Sequence, residues 1–117
     1  MNKPSVKANL RTMSGDTAVI DIEGDLTSAA ENALMDTYTR ADSAGARRII
    51  LNFAGLEYMN STGIGLLVTL LIRVNRRQQK LLAVGLSDHY LQILELTRLS
   101  EAIETFPTED EALAHSG

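Results

Sequence analysis

The sequence predicts an α/β fold, with a mixed sheet of four or five strands and helices mainly on one side of it. Apolar and polar residues alternate in segments 6–12 and 17–24, as in strands that have one face in solvent. Segments 47–53 and 81–86 contain unbroken apolar runs, which are typical of strands buried on both faces. We therefore expect an antiparallel hairpin followed by parallel strands with crossover helices, in a single domain that spans residues 1–117.

The first half of the chain carries start and stop signals for its elements. Turn-forming residues at 14–16 separate the two strands of the predicted hairpin. Ser28 is a residue type that caps helices, and Gly45 is the type that commonly follows a last turn, so a helix is expected between them. The apolar residues that recur there at helical spacing are Ala30, Leu34, Tyr38 and Ala41.

The second half of the chain alternates between strands and helices. The strand that ends near Phe53 is expected to lead through a loop into the second helix. Ser87 or Asp88 begins a third helix with regularly spaced apolar residues. A short strand is predicted at 102–106, and the sequence TEDE at 108–111 fits a capping box that opens a final helix.

The second helix opens with the sequence NSTGIG, residues 60–65, ahead of a strongly apolar run. Ser61 is predicted to be its N-cap, because a serine hydroxyl can accept a hydrogen bond from an unpaired N–H of the first turn. Gly63 and Gly65 each cost up to about 1 kcal/mol relative to alanine inside a helix, so two in one turn need a reason. Close packing and the close approach of a ligand or partner are the two reasons that the sequence leaves open.

Composition argues against several classes of function. The 117 residues carry a formal net charge of -4 and only 4% aromatic residues, which disfavours a nucleic-acid-binding protein. Cysteine is absent, and neither the histidines nor the carboxylates show the spacing of metal ligands, so no metal and no cofactor is expected. The N-terminal residues lack a signal-peptide pattern, and no apolar run is long enough to span a bilayer. We expect a cytoplasmic protein without membrane insertion.

An enzymatic role for the serine is disfavoured. The stretch lacks the lysine and the spacing of a phosphate-binding loop, and Met59 stands where a nucleophile elbow has its first glycine. A triad of Ser61, Asp88 and His89 is conceivable, but adjacent residues rarely orient one another as a triad requires. A small serine-dependent enzyme is therefore the least favoured function for this chain, and we expect no enzymatic activity.

A basic cluster follows the apolar run of the second helix. Cations at a helix C-terminus complement the helix dipole, which is the simpler interpretation. The alternative is a patch for a membrane surface or for an acidic partner. The apolar run, residues 64–72, leaves little polar face, so we expect it to be mostly buried with one or two side chains exposed for a partner. The basic residues are Arg73, Arg76, Arg77 and Lys80.

Several segments together resemble the STAS domain, the family of sulfate transporter and anti-sigma factor antagonist domains. They are GDLT at 24–27, IILNFAGLEYMNSTGIGLL at 49–67, and LS at 86–87 ahead of a helix. The resemblance extends along essentially the whole chain. Its most specific part is the family signature D-S-[ST]-G-[LI]-G, which reads NSTGIG here. The resemblance implies the STAS fold and a regulatory function.

The resemblance also implies a mechanism and a site. Members that stand alone are similar to anti-sigma factor antagonists, which bind an anti-sigma factor with serine kinase activity when unphosphorylated and are released when phosphorylated. Ser61 falls on the family's phosphoacceptor, and a serine phosphatase is the implied reverse partner. By the same resemblance, the partner-binding residues are Thr27, Asn60, Thr62, Gly63 and Gly65.

Two positions depart from the family pattern. Asn60 replaces the usual aspartate before the phosphoacceptor, and Thr27 replaces the aspartate of a G-x-L-D segment. Both changes remove a carboxylate from the face expected to meet the partner. Either the kinase of this chain has different charge preferences, or the chain is a STAS adaptor subunit of a transporter or sensory complex that binds without being phosphorylated.

Overall fold

The computed structural model describes residues 6–115 and contains one mixed sheet of five strands. The strands are β1 (Val6–Met13), β2 (Thr17–Leu26), β3 (Arg48–Met59), β4 (Lys80–Val84) and β5 (Glu104–Phe106). They lie side by side in chain order. The pair β1 and β2 is antiparallel and every later pair is parallel, which confirms the predicted hairpin and crossover connections.

Within residues 6–115, four α-helices and two short 3-10 turns connect these strands. The helices are α1 (Glu31–Ser43), α2 (Ser61–Arg76), α3 (Asp88–Leu96) and α4 (Glu109–Ala114). The 3-10 turns are Ser28–Ala30 and Leu99–Glu101. None of the helices in this part of the chain combines the length and the apolar character needed to cross a membrane.

The first face of the sheet is covered by α1, α2 and α3. Ile49 and Leu51 of β3 point into this core, whereas Ile50 between them points to the second face and is just as deeply buried. The unbroken apolar run therefore marks a strand buried on both faces, as predicted. The buried helical side chains of this core include Leu34, Tyr38 and Ala41 of α1, Leu66, Leu67, Leu70 and Val74 of α2, and Leu94 of α3.

The second face is partly covered by α4. Ala112 is fully buried there beside Val19 of β2. The Arg11 guanidinium of β1 donates hydrogen bonds to Asp21 at 2.6 and 2.7 Å and to Glu109 of α4 at 2.6 and 3.0 Å. The hydrogen bond from Arg11 is the main cause that lowers the pKa of Asp21. Three helices thus lie on one face and one short helix on the other, in agreement with the predicted arrangement.

Strand β3 is longer than predicted, because it runs to Met59 instead of ending near Phe53. Two register shifts interrupt its pairing with β2, and each places one extra residue in β3. Such bulges break the period-two alternation, so the segment after Phe53 lacks the pattern that predicts a strand. The predicted loop is therefore wrong, and Asn60 is the single residue between β3 and α2.

The predicted cap of the first helix is also wrong. Ser28 lies inside the 3-10 turn Ser28–Ala30, and α1 begins only at Glu31. The turn places Ala30 in the core, where it is fully buried. Serine favours several positions near a helix start, so residue type alone does not reveal whether the first turn is α-helical or 3-10.

Other start and stop signals are confirmed. Gly45 follows α1 with a φ of +88°, in the left-handed region that favours glycine. The Ser87 hydroxyl accepts a hydrogen bond from the Tyr90 N–H at 3.4 Å and caps α3. The Thr108 hydroxyl accepts one from the Glu111 N–H at 3.2 Å and caps α4.

The end of α3 offers a test of backbone conformation. Arg98 has a φ of +64°, where any side chain costs free energy and glycine does not. We expect Arg98→Gly to raise the free energy of unfolding by about 0.5 to 1 kcal/mol in urea denaturation. Arg98→Ala is the control, because it also removes the exposed ion pair with Glu101 but keeps the Cβ, and it should bring no gain. Equal stability of the two variants would contradict the argument.

Candidate functional site

Asn60 caps the junction between β3 and α2. Its backbone is extended, and its side-chain Oδ1 accepts a hydrogen bond from the Gly63 N–H at 2.9 Å. Its carbonyl oxygen accepts another from the Ile64 N–H at 3.0 Å. The prediction that Ser61 is the cap is therefore wrong, because Ser61 is already the first residue of the helix and a cap residue has a non-helical backbone.

Ser61 is exposed at the N-terminal end of α2. Because Asn60 serves as the cap, the serine hydroxyl is not needed to hold the first turn together. The N–H groups of Ser61 and Thr62 have no acceptor within the helix, since an α-helix leaves its first N–H groups unpaired. An anionic group on Ser61 would therefore lie beside free donors and at the positive end of the helix dipole.

Gly63 packs against the end of β2. A Cβ at this position would overlap the carbonyl oxygen of Leu26 and lie 2.9 Å from Cγ of Met59. The Asn60 N–H donates a hydrogen bond to the same Leu26 oxygen at 3.4 Å. Of the two reasons that the sequence left open for its glycines, close packing applies to Gly63.

Gly65 and Thr62 face solvent on the first turns of α2. A Cβ at Gly65 would meet no atom within 4 Å, so packing inside the domain does not require a glycine there. Close approach of a partner is the reason that stays open for Gly65. Thr62 is the second residue of the helix, and its exposed side chain lies next to that of Ser61 along the chain.

Thr27 is brought to the start of α2 by the packing of its neighbour Leu26 on Gly63. Its backbone is extended, and its side chain makes no capping hydrogen bond to the following turn, Ser28–Ala30. That turn contacts α2. Since parallel strands end at the same edge of a sheet, the ends of β2 and β3 place Thr27 and Asn60 close to each other.

Sequence reasoning missed two tyrosines at this junction. The Tyr90 hydroxyl of α3 accepts a hydrogen bond from the Met59 N–H at 2.9 Å, which ties α3 to the last residue of β3. Tyr58 is 50% exposed, a large apolar surface just before Asn60. Tyr58 lies in the segment that was predicted to be a loop, and no local pattern indicates the long-range contact of Tyr90.

The geometry of α3 bears on the enzymatic alternative. Asp88 and His89 are the first two residues of this helix and both are exposed. Consecutive helical residues point about 100° apart, which does not suit the aspartate and histidine of a triad. The His89 ring packs edge-on against Tyr90, with the centroids 4.9 Å apart. Among residues 6–115, no three histidine, aspartate or glutamate side chains cluster as metal ligands.

Two alanine substitutions test the assignment of the cap. Asn60→Ala removes the acceptor of the Gly63 N–H and is expected to lower the free energy of unfolding by about 1 kcal/mol. Ser61→Ala removes only an exposed hydroxyl, so the expected change stays within about 0.5 kcal/mol. Urea denaturation followed by circular dichroism measures both values. A larger loss for Ser61→Ala than for Asn60→Ala would return the capping role to Ser61.

The two glycines form a matched pair for a second test. Gly63→Ala drives a methyl group into the Leu26 carbonyl and is expected to lower the free energy of unfolding by about 2 kcal/mol or more. Gly65→Ala adds a methyl group in open space, and the higher helix propensity of alanine should raise the free energy of unfolding by up to about 1 kcal/mol. Thermal and urea denaturation should therefore show opposite signs. Destabilisation by both substitutions would refute the different roles of the two positions.

Comparison with known proteins places this geometry in a family. A 94-residue stretch, 80% of this chain, is 30% identical to an anti-sigma-B factor antagonist of Staphylococcus aureus (strain NCTC 8325) and covers 87% of that protein. An anti-sigma factor antagonist from Mycobacterium paratuberculosis superimposes with a TM-score of 0.80 at 17% identity, over 96% of this chain and 94% of the other. The phosphorylated form of the Bacillus cell fate determinant SpoIIAA superimposes with a TM-score of 0.71 at 22% identity, over 91% and 96%.

The two structural similarities establish the shared fold, since their sequence identities are low. The STAS domain pattern matches residues 7–112, which include most of α4 and all five strands except Val6, the first residue of β1. The chain therefore belongs to the STAS domain family.

Proposed function

We propose that this chain is an anti-sigma factor antagonist in a cytoplasmic partner-switching pathway, with Ser61 as the switch residue. When unphosphorylated, it binds an anti-sigma factor that has serine kinase activity. Phosphorylation of Ser61 by that kinase releases it, and a serine phosphatase restores the binding form. The 30% identity to an anti-sigma-B factor antagonist supports this assignment over a role as an enzyme.

The exposed hydroxyl of Ser61 is the observation that carries the proposal. A kinase needs a side chain that it can reach, and Ser61 is exposed at the start of a helix. The hydroxyl can be modified without loss of the cap, because Asn60 already satisfies the Gly63 N–H. Phosphorylation at this position therefore need not disturb the packing of α2.

A phosphate on Ser61 would act on the surface of the domain. It adds about -1.5 to -2 charges and three strong acceptor oxygens at neutral pH. The free N–H groups of the first turn and the helix dipole stabilise those charges in place. A partner that packs over the start of α2 would meet added bulk and charge, so its complex weakens while the fold persists.

The remaining residues of the site have two roles: one holds α2 in place, and the others form the surface that a partner would contact. Gly63 is buried and lets α2 sit close to Leu26, so it supports the surface from beneath. Thr27, Thr62 and Gly65 are accessible beside Ser61 and form the proposed contact surface. The open space over Gly65 suits the close approach of a partner backbone.

Phosphorylation is tested with the anti-sigma serine kinases encoded in the same genome. The purified chain is incubated with each kinase and magnesium ATP, and intact mass followed by fragment analysis counts and locates phosphate. We expect one phosphoryl group, on Ser61, and none on Ser61→Ala. Thr62→Ala is the matched control, because it removes the adjacent hydroxyl and should leave phosphorylation intact.

Binding measurements by titration calorimetry complete this test. The parent chain and Ser61→Ala should bind the kinase alike, whereas Ser61→Asp should weaken the complex by about tenfold, since a carboxylate carries only one charge. Phosphate on Thr62, or undiminished binding by Ser61→Asp, would contradict the switch. A stable complex in which Ser61 is never modified would favour the alternative, a non-phosphorylated adaptor subunit of a transporter or sensory complex.

A further inference from the structure

An exposed line of residues runs along α2 from its N-terminal end. Ser61, Gly65, Val68 and Ile72 follow one another at helical spacings of four, three and four, so they share one face. Val68 is 39% exposed and Ile72 is 49% exposed, unlike most large apolar side chains in the described part of the chain. At about 1.5 Å per residue, Ile72 lies roughly 16 Å from Ser61 along the helix.

A basic cluster lies at the C-terminal end of the same line. Helices α1 and α2 end, and strands β3 and β4 begin, at one end of the sheet, which brings together seven of the eleven lysines and arginines. One of them, Arg48, donates a hydrogen bond to the Ala112 carbonyl of α4 at 2.7 Å, and the other six form the cluster. Among residues 6–115, Arg77 is the one member with a carboxylate within ion-pair distance, at 3.1 Å from Asp42. The patch is positive in a chain whose net charge is -4. The cluster consists of Arg40, Arg47, Arg73, Arg76, Arg77 and Lys80.

A cleft of about 250 Å³ opens between α1 and α2 beside this cluster. Arg73, Arg76 and Arg77 line it together with Tyr38 and Asp42. The Arg73 guanidinium lies 5.9 Å from the centroid of the Tyr38 ring, within the range of a cation–π contact. Three guanidinium groups therefore border one concave surface, and a single carboxylate offsets them there.

The walls of the cleft are held by the buried side chain of Gln79. Its Nε2 donates hydrogen bonds to Asp42 at 2.8 Å and to the Ala46 carbonyl at 2.9 Å. Its Oε1 accepts a hydrogen bond from the Tyr38 hydroxyl at 2.7 Å. Because these contacts fix the tyrosine and the aspartate, less conformational entropy is lost when a ligand enters the cleft.

We infer that the face of α2 from Val68 to Arg76 is a docking surface for an acidic amphipathic segment of a protein partner. Apolar side chains one helical turn apart in that segment would cover Val68 and Ile72. Carboxylates beyond them would pair with Arg73 and Arg76, since guanidinium groups bind carboxylates with two hydrogen bonds. The inference rests on the proposed function only for the identity of the partner, the anti-sigma factor.

A protein segment suits this surface better than a lipid bilayer does. The shallow cleft between α1 and α2 is lined by Arg73, Arg76 and Arg77, which suits the carboxylate side chains of a protein segment. The exposed line carries serine, glycine, valine and isoleucine instead of the tryptophan and phenylalanine that anchor helices at membrane surfaces. The apolar pair and the adjacent cations match an acidic amphipathic segment in both polarity and order.

The docking surface is separate from the switch. Arg76 lies about 22 Å from Ser61 along the helix, well beyond the Debye length of about 8 Å at physiological salt. A phosphate on Ser61 therefore changes the electrostatic potential there very little. The acidic segment then contributes the same affinity before and after phosphorylation, and the release on phosphorylation comes from the partner's contact at Ser61.

A peptide selection against the whole chain tests this surface directly. A random library of peptides of about 16 residues, roughly 24 Å long when helical, is displayed on phage, and the enriched peptides are synthesised. We expect acidic peptides with apolar residues three or four positions apart. Calorimetry should show a dissociation constant at least about tenfold higher for the double variant Arg73→Gln/Arg76→Gln. The control Lys7→Gln/Arg98→Gln removes the same charge elsewhere and should bind like the parent chain.

The remaining outcomes overturn the proposal. They are enrichment of no peptide, enrichment of peptides without acidic residues, or equal loss of binding in both double variants. Binding of phosphatidylglycerol vesicles in place of peptides, lost in Arg73→Gln/Arg76→Gln, would assign the surface to membranes. Ser61→Asp should bind the peptides like the parent chain, even if the proposed switch itself fails, and loss of binding there would refute a separate docking surface. Circular dichroism confirms that each variant is folded.

Discussion

The carbonyl oxygen of Leu26 is the point on which the geometry of the candidate site depends. It lies so close to Gly63 that no side chain has room there, and it accepts a hydrogen bond from the Asn60 N–H. Because Leu26 ends β2 and Asn60 follows β3, this one atom fixes the first turn of α2 relative to both strands. Ser61 is exposed and is positioned by these neighbours, so its own hydroxyl is free for chemistry.

The two ends of α2 differ in the charge that they attract, and the helix dipole contributes to this difference at both ends. The first turn contains no acidic residue and leaves N–H groups unpaired, whereas the last turn contains Arg73 and Arg76. An anion at the first end and cations at the last end each stabilise an exposed helix by about 0.3 to 1 kcal/mol. The buried side of α2, with Leu67 and Leu70, is held by the core. A binding event at either end can therefore change the surface without unfolding the helix.

Periodicity predicted the order and type of the elements, because strands and helices bury apolar residues at different periods. It did not predict the extension of β3, whose two bulges break the alternation that marks a strand. In the site, the residue types indicated that two glycines in one helical turn require an explanation. Only the position of the Leu26 carbonyl oxygen shows that packing requires a glycine at Gly63 and does not require one at Gly65. The cap was assigned one residue too late, since serine and asparagine cap helices equally well and a one-residue shift of the helix start decides between them.

Asn60 shows how one amide can change the electrostatics of the proposed switch without changing the geometry of the helix cap. Aspartate, the usual residue of the family at this position, would cap α2 equally well through a carboxylate oxygen. It would also keep a full negative charge beside Ser61, and two unit charges about 4 Å apart repel by about 1 kcal/mol even in water. A phosphate carries nearly two charges, so the repulsion would be larger. The neutral Asn60 removes this term. If Ser61 is phosphorylated as proposed, the substitution would change the charges that a kinase meets and would make the phosphate easier to hold.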